Sequence, residues 1–224
     1  MKTITLLFVN LISIGLWAQG EVGESDTALW ETRRLDNGRQ AAYLSSLEKD
    51  VLLELNKVRS NPRQYARLYV APMLKHFNGK LFTPSNIETK EGVKAVNECI
   101  RELEKTPKLD VLMPDQELYN AAFRHTSLQS KTTEIGHDSP NGETFEHRLR
   151  KLRFSNTAEC ISYGENDAAG IVISLLVDDG VSSRGHRRII LNPRLSAVGI
   201  SAGGHKAYST MCTLDFGGGK MTGR

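Results

Sequence analysis

Cysteine is scarce in this chain, with 3 in 224 residues. That scarcity excludes a small scaffold held together by disulfides. The three are Cys99, Cys160 and Cys212, an odd number that leaves at least one thiol outside any intrachain bridge. Zero or one bridge is expected, with no pair singled out. No C-x-x-C pair, no H-E-x-x-H and no glycine-rich phosphate loop occurs, so the commoner redox, zinc-protease and nucleotide signatures are absent. Aromatic residues make up only 7%, and the net charge is +3 with acids and bases mixed along the chain. No basic stripe interleaved with aromatics forms, so no nucleic-acid partner is expected. Beyond the first twenty residues no apolar run approaches the roughly 20 residues that a membrane span needs.

What is present suits an ordinary core: 39% hydrophobic and 25% charged residues. The N-terminus differs from the rest. Lys2 precedes an apolar run from Ile4 to Trp17, and Ala18-Gln19-Gly20 closes it. A basic start, a short apolar run and small residues at its end predict a signal peptide over 1–20. A secreted, periplasmic or extracellular location follows, and no integral membrane protein remains after cleavage. Residues 21–45 read as a polar N-terminal arm, with Trp30 and Tyr43 available to dock. One domain is expected over 46–219, with a tail at 220–224.

Within that domain helical spacing comes first. Val51, Leu52, Leu55 and Val58 share one face until Asn61-Pro62. A short helix carries Tyr65, Ala66, Tyr69 and Val70, and residues 72–91 read as a long surface excursion. Val93, Val96, Ile100 and Leu103 form the next stripe. Asp115 can cap a helix whose face is Leu118, Ala121, Ala122, His125 and Leu128. Another short helix carries Phe145, Leu149 and Leu152. Ile171 to Val177 is apolar all round, and periodicity alone cannot separate helix from strand there; Ala168 and Ala169 favour helix. Residues 197–201 and 207–216 predict a hairpin, with Gly217-Gly218-Gly219 ending the sheet. Helices followed by a terminal hairpin make an α+β domain.

Three stretches could carry chemistry. Gly136-His137-Asp138 sets an imidazole beside a turn, where it could ligate a metal or carry a proton. Ala158 to Asn166 holds Glu159 and Glu165, which share a face if the segment is extended, with Tyr163 able to donate to either. Asp178-Asp179-Gly180 followed by Arg184-Gly185-His186-Arg187 brings acid and imidazole within one turn, and Arg184 and Arg187 could clamp acids or an anion. His125 lies on an apolar stripe and reads first as a core histidine bonded to backbone. Gly199-Ile200-Ser201-Ala202-Gly203 has the spacing of a nucleophile elbow, but a strand follows where that motif needs a helix.

The ordered set of pieces resembles the CAP superfamily (cysteine-rich secretory proteins, antigen 5, pathogenesis-related 1; the SCP domain), and within it the secreted bacterial branch. The pieces are Leu55 to Arg59 with Asn61-Pro62, Leu118 through His125, Gly136-His137 with Asn141-Gly142, and Glu159 through Gly164. Asp178-Asp179-Gly180 with Arg184 to Arg187, Asn192-Pro193, Val198-Gly199 and Asp215-Phe216 complete it. The resemblance implies an α-β-α sandwich with a small, mostly antiparallel sheet between helical layers. It also implies a cleft holding His137, Glu159, Asp178 and His186. The family's Gly-Glu-Asn-Ile stands here as Ala158-Glu159-Cys160-Ile161, which removes the asparagine, and Glu165 is the fallback acid. Asp178 stands where many relatives have glutamate.

Those four residues could be a first shell for a divalent cation such as zinc, weakly bound. Each acid could instead orient a histidine. The expected function is an extracellular binding or interaction module, its ligand a lipid, a protein or a cell-wall component. The alternative is a metal-assisted hydrolase of a peptide, ester or cell-wall bond, in which the same cleft activates water and Cys160 is a conceivable nucleophile.

Overall fold

The computed structural model describes residues 30–220. The expected signal peptide at 1–20, the first part of the arm and the tail beyond Lys220 lie outside the described residues. From Trp30 the arm is packed: Trp30 is buried and stacks near Tyr69, and Tyr43 meets the Tyr119 ring at 5.2 Å.

The first turn of helix, α1, spans Thr32–Leu35, and α2 spans Ser46–Ser60. Ser45 starts α2 with a reciprocal capping box to Glu48, which satisfies two N–H groups that a helix start leaves without partners. Val51, Leu52, Leu55 and Val58 are all buried, as their spacing requires. Pro62 opens the short α3, Pro62–Tyr65, and a π turn over Ala66–Val70 and a 3₁₀ turn over Ala71–His76 continue it. The surface excursion is structured. It contains β1 (Phe77–Asn78), β2 (Leu81–Phe82) and β3 (Ile87–Glu88), paired as a small antiparallel sheet. Helix α4, Val93–Lys105, follows. Its buried stripe is Ala95, Val96, Cys99 and Leu103, whereas Val93, expected on that stripe, is exposed.

The main sheet has the order β4-β6-β7-β5. It is built from β4 (Met113–Pro114), β5 (Phe154–Tyr163), β6 (Ala197–His205) and β7 (Ser209–Lys220). Only β4 is parallel to its neighbour β6; the remaining pairs are antiparallel. The strands run further than the sequence suggests. Ala202 to His205 continue β6, and Gly217 and Gly218 pair with β5 or β6 while β7 runs on through Gly219 to Lys220, instead of ending at the glycines. β5 supplies the added pairing. Its first half is half-exposed, which hid it in a polar stretch of sequence.

Helices cover both faces. On one side lie α5 (Gln116–Gln129), capped by Asp115, and α6 (Phe145–Arg150), capped by Thr144. The approach of α5 is close enough that a Cβ on Gly199 of β6 would lie 2.0 Å from the Tyr119 amide nitrogen, so only glycine fits there. On the other side lie α2, α7 (Ala168–Val177) and α8 (Gly185–Ile190). Asp167 caps α7, and Gly170 to Val177 are buried all round. A short segment apolar on every face is helical here because it sits between other helices and the sheet. Side chains from alternate residues of β5 and β7 divide the core. Cys160, Leu214 and Phe216 join the large apolar cluster with α2, α4 and α7; Ile161, Tyr163 and Met211 form a small cluster on the opposite face. The result is an α+β, α-β-α sandwich.

Candidate functional site

β5 is an edge strand, and successive side chains leave its two faces. Glu159 points toward α6. Its Oε1 lies 2.8 Å from His137 Nδ1, and its Oε2 accepts from Arg148 Nη2 at 2.5 Å. Cys160 points the other way, where its Sγ faces the His186 carbonyl at 3.9 Å. His186 Nδ1 lies 2.7 Å from Asp178 Oδ1, and Asp178 Oδ2 accepts the His186 backbone N–H at 3.0 Å. The structure therefore joins the four expected residues two by two, as separate imidazole–carboxylate pairs. The pairs approach β5 from its two sides.

The His137 pair rests on a buried polar network. Arg148 Nη1 donates to the His137 carbonyl at 2.9 Å and to Ser139 Oγ at 3.2 Å. Ser139 Oγ also meets His125 Nδ1 at 2.9 Å, and His125 Nε2 faces the Gly136 carbonyl at 3.1 Å. A carbonyl only accepts, so Nε2 carries the His125 proton. Burial lowers the His125 imidazole to about 4, leaving it neutral as a core histidine. Burial alone would raise Glu159. The His137 hydrogen bond and the Arg148 charge outweigh it, and the carboxyl falls to about 2. An ionised Glu159 can only accept, which assigns the proton to His137 Nδ1. Directly across the ladder from Glu159 stands Asp215, fully buried. No protein N–H or O–H donor among the described residues reaches either Asp215 oxygen. Burial first, and the Glu159 charge second, push the Asp215 carboxyl well above its ordinary range. Two buried carboxylates side by side do not both ionise readily, and of the two it is Asp215 that is pushed toward its neutral form.

Backbone conformation sets the His186 pair. α7 ends at Asp178, whose φ of 54° and ψ of 45° are left-handed. That conformation is usual for glycine, costs most other residues about 1–2 kcal/mol, and is entered by Asp and Asn more readily than by the rest. It turns the Asp178 side chain back over the start of α8, where its carboxylate takes the N–H that no other cap serves. Gly180, at φ 77°, lets the chain reverse between the two helices.

The remaining expected residues take other roles. Tyr163 shares the Glu159 face but donates to Gln129 Oε1 at 2.6 Å and accepts from the Gly136 N–H at 3.0 Å, so it serves the His125 network and not an acid. Glu165 lies past the end of β5, buried, with its carboxylate against Gly170 in the first turn of α7. Arg184 and Arg187 are turned inward. Arg187 donates to the Leu176 and Val177 carbonyls and to Glu102; Arg184 binds Glu91 and Glu98. Neither guanidinium is available to an anionic ligand, because both are spent on tying the loop to α4. Burial and nearby acids push the Cys160 thiol well up, which removes the thiolate that a nucleophile needs. Cys99, Cys160 and Cys212 are all free thiols.

The acids stand behind the imidazoles instead of beside them. Among the described residues, no group of three or more His, Cys, Asp or Glu side chains is placed to hold a metal ion. A four-ligand shell of His137, Glu159, Asp178 and His186 does not fit this arrangement, since each carboxylate is already engaged by the imidazole in front of it. Sequence reasoning missed Arg148, Ser139, Gln129 and Asp215. Asp215 alone carried a signal, as an acid inside an otherwise apolar strand.

The profile of the Cysteine-rich secretory protein family (CAP) matches residues 55–216. No curated protein matches the chain. Among solved structures, an extracellular protein containing an SCP domain from Bacillus anthracis is similar at 22% identity and a TM-score of 0.41, over 57% of this chain and 38% of that one. An outer surface protein from Borrelia burgdorferi is similar at 24% identity and a TM-score of 0.43, over 59% and 96%. A cysteine-rich secretory protein from Staphylococcus aureus shows 18% identity and a TM-score of 0.35, over 57% and 38%. The match thus spans well under half the length of the first and third.

Proposed function

This chain belongs to the cysteine-rich secretory protein family, and from that premise we propose that it is a secreted binding or interaction module. Its ligand-contacting groups are the imidazoles of His137 and His186. The observation that carries the reading is that each imidazole is fixed at Nδ1 by a buried carboxylate, at 2.8 Å and 2.7 Å. Such partners fix the tautomer and the ring orientation before a ligand arrives. Among the described residues no helix is long and apolar enough to cross a membrane.

A divalent cation such as zinc would meet imidazole nitrogen only, and so would bind weakly. Calorimetric zinc titration of the purified chain, repeated with His137→Ala and His186→Ala, tests this reading. Weaker binding in both variants supports it; equal affinity in all three proteins contradicts it.

The Asp178–His186 pair favours one second reading, a hydrolase in which His186 takes a proton from water while Asp178 holds its Nδ1–H. Turnover of a peptide, ester or cell-wall substrate by the wild type, lost in a folded His186→Ala variant, would establish it. No turnover in either protein leaves the binding module.

A further inference from the structure

The loop that carries Asp178 is held from outside the site, by a turn more than eighty residues earlier in the chain. After β3 the chain turns through Thr89 to Gly92 into α4. Asp179, next to the site acid, accepts from the Lys90 N–H at 2.6 Å and the Glu91 N–H at 2.8 Å. In return Glu91 Oε1 accepts from the Gly180 N–H at 2.9 Å. Arg184, itself left-handed at φ 50°, closes the circuit. Its guanidinium forks onto both Glu91 oxygens at 2.7 and 2.8 Å, and its Nη1 also donates to the Asp178 carbonyl at 2.8 Å. Two non-glycine residues in left-handed conformation persist only where their surroundings over-determine them. Here the surroundings are Glu91, the backbone beside it and, for Arg184, Glu98 as well. The Arg184 hydrogen bonds hold the Glu91 carboxyl down to about 2, so it stays an acceptor through the ordinary pH range.

We propose that Glu91 and Asp179 are positioning residues for the His186–Asp178 pair: they lock the left-handed loop and so fix where Asp178 meets the imidazole. Their functional effect rests on His186 contacting the ligand, as proposed above. Neither touches the ligand.

The test reads the His186 ring nitrogens by ¹⁵N NMR in the full chain, with zinc as the binding probe. In the wild type His186 carries its proton on Nδ1. In Glu91→Ala that single tautomer gives way to a mixture, and zinc affinity falls at least about tenfold, the usual effect of losing an outer partner of a histidine ligand. Glu91→Gln keeps an acceptor for Gly180 and for Arg184, and restores the tautomer and most of the affinity. If Glu91→Ala does not fold, the same spectra on Asp179→Asn decide the matter, because that change removes one acceptor and leaves the ion pairs in place. An unchanged Nδ1–H tautomer in the folded variants overturns the proposal and leaves Glu91 as a structural brace. Zinc affinity untouched by His186→Ala would sink the binding reading alone, since the tautomer result does not depend on it.

Discussion

His137 leans on Glu159 at 2.8 Å and His186 on Asp178 at 2.7 Å, yet the two acids are secured by different means. Glu159 is held by other side chains: a buried guanidinium and the ring itself. Asp178 is held by its own backbone, in a conformation that glycine would normally supply. The first half of the site is thus an electrostatic construction sensitive to pH and to the loss of any one charge. The second half is a conformational construction, sensitive to whatever pins the loop. The two faces of the sheet repeat the contrast, with a thick apolar core behind the His186 side and a thin one interrupted by polar groups behind His137.

The contrast breaks hardest at Arg148. Arg148→Met leaves Glu159 buried beside Asp215 without its cation. The expected loss is about 3–5 kcal/mol, the range for removing one partner of a buried ion pair, read by denaturant unfolding. On the apolar face, Leu214→Ala should cost about 2–5 kcal/mol. That loss should not vary with pH, whereas the Arg148 loss should shrink in acid as Glu159 protonates.

Titration sharpens the difference. Glu159 is held at about 2 against an ordinary 4.5, so its stabilisation is present above 4.5 and disappears as the pH falls toward 2. Asp215 has the opposite sign. Its folded value is raised, so stability is full below its unfolded value and declines as the pH rises toward the folded one. Asp215→Asn, always neutral, should therefore melt above the wild type at pH 8 and level with it near pH 4. His125, at about 4 against 6.5, withdraws stability as the pH falls between those values. A melting-temperature series from pH 3 to 9 on these proteins checks all three signs.

Asp178→Asn addresses the other half. Asparagine tolerates the left-handed conformation and can still accept the His186 N–H, so the expected loss is small, about 1 kcal/mol. Its amide would donate to His186 Nδ1 and move the ring proton to Nε2, which ¹⁵N shifts report. The smallest effect should come from Phe123→Ser on the exposed face of α5, within about 0.5 kcal/mol.

Much of this was legible in the sequence where the determinants are local. The Asp115 cap and the stripe of α2 sit within a few residues of the structures they specify. Asp178 and His186 are eight residues apart, and their pairing needs only one turn. Glu159 and His137 could be placed together only through the family resemblance. What stayed hidden depends on partners brought in by the fold. Arg148 reads as one more exposed arginine on a short amphipathic helix until α6 packs its far face on β5. Arg184 reads as a clamp for ligands until Glu91, 93 residues away, arrives beside it. β5 was not recognised as a long strand because its first half is half-exposed and polar.

In this site the buried acids hold the imidazoles and are not themselves placed as ligands. The most direct measurement is the protonation of the His137 and His186 Nδ1 atoms by ¹⁵N NMR at neutral pH, with and without saturating zinc. Both Nδ1 atoms are expected to keep their protons in either condition. Loss of the Nδ1 proton on either ring when zinc is added would contradict it, because the carboxylate behind that ring would then have given up its partner.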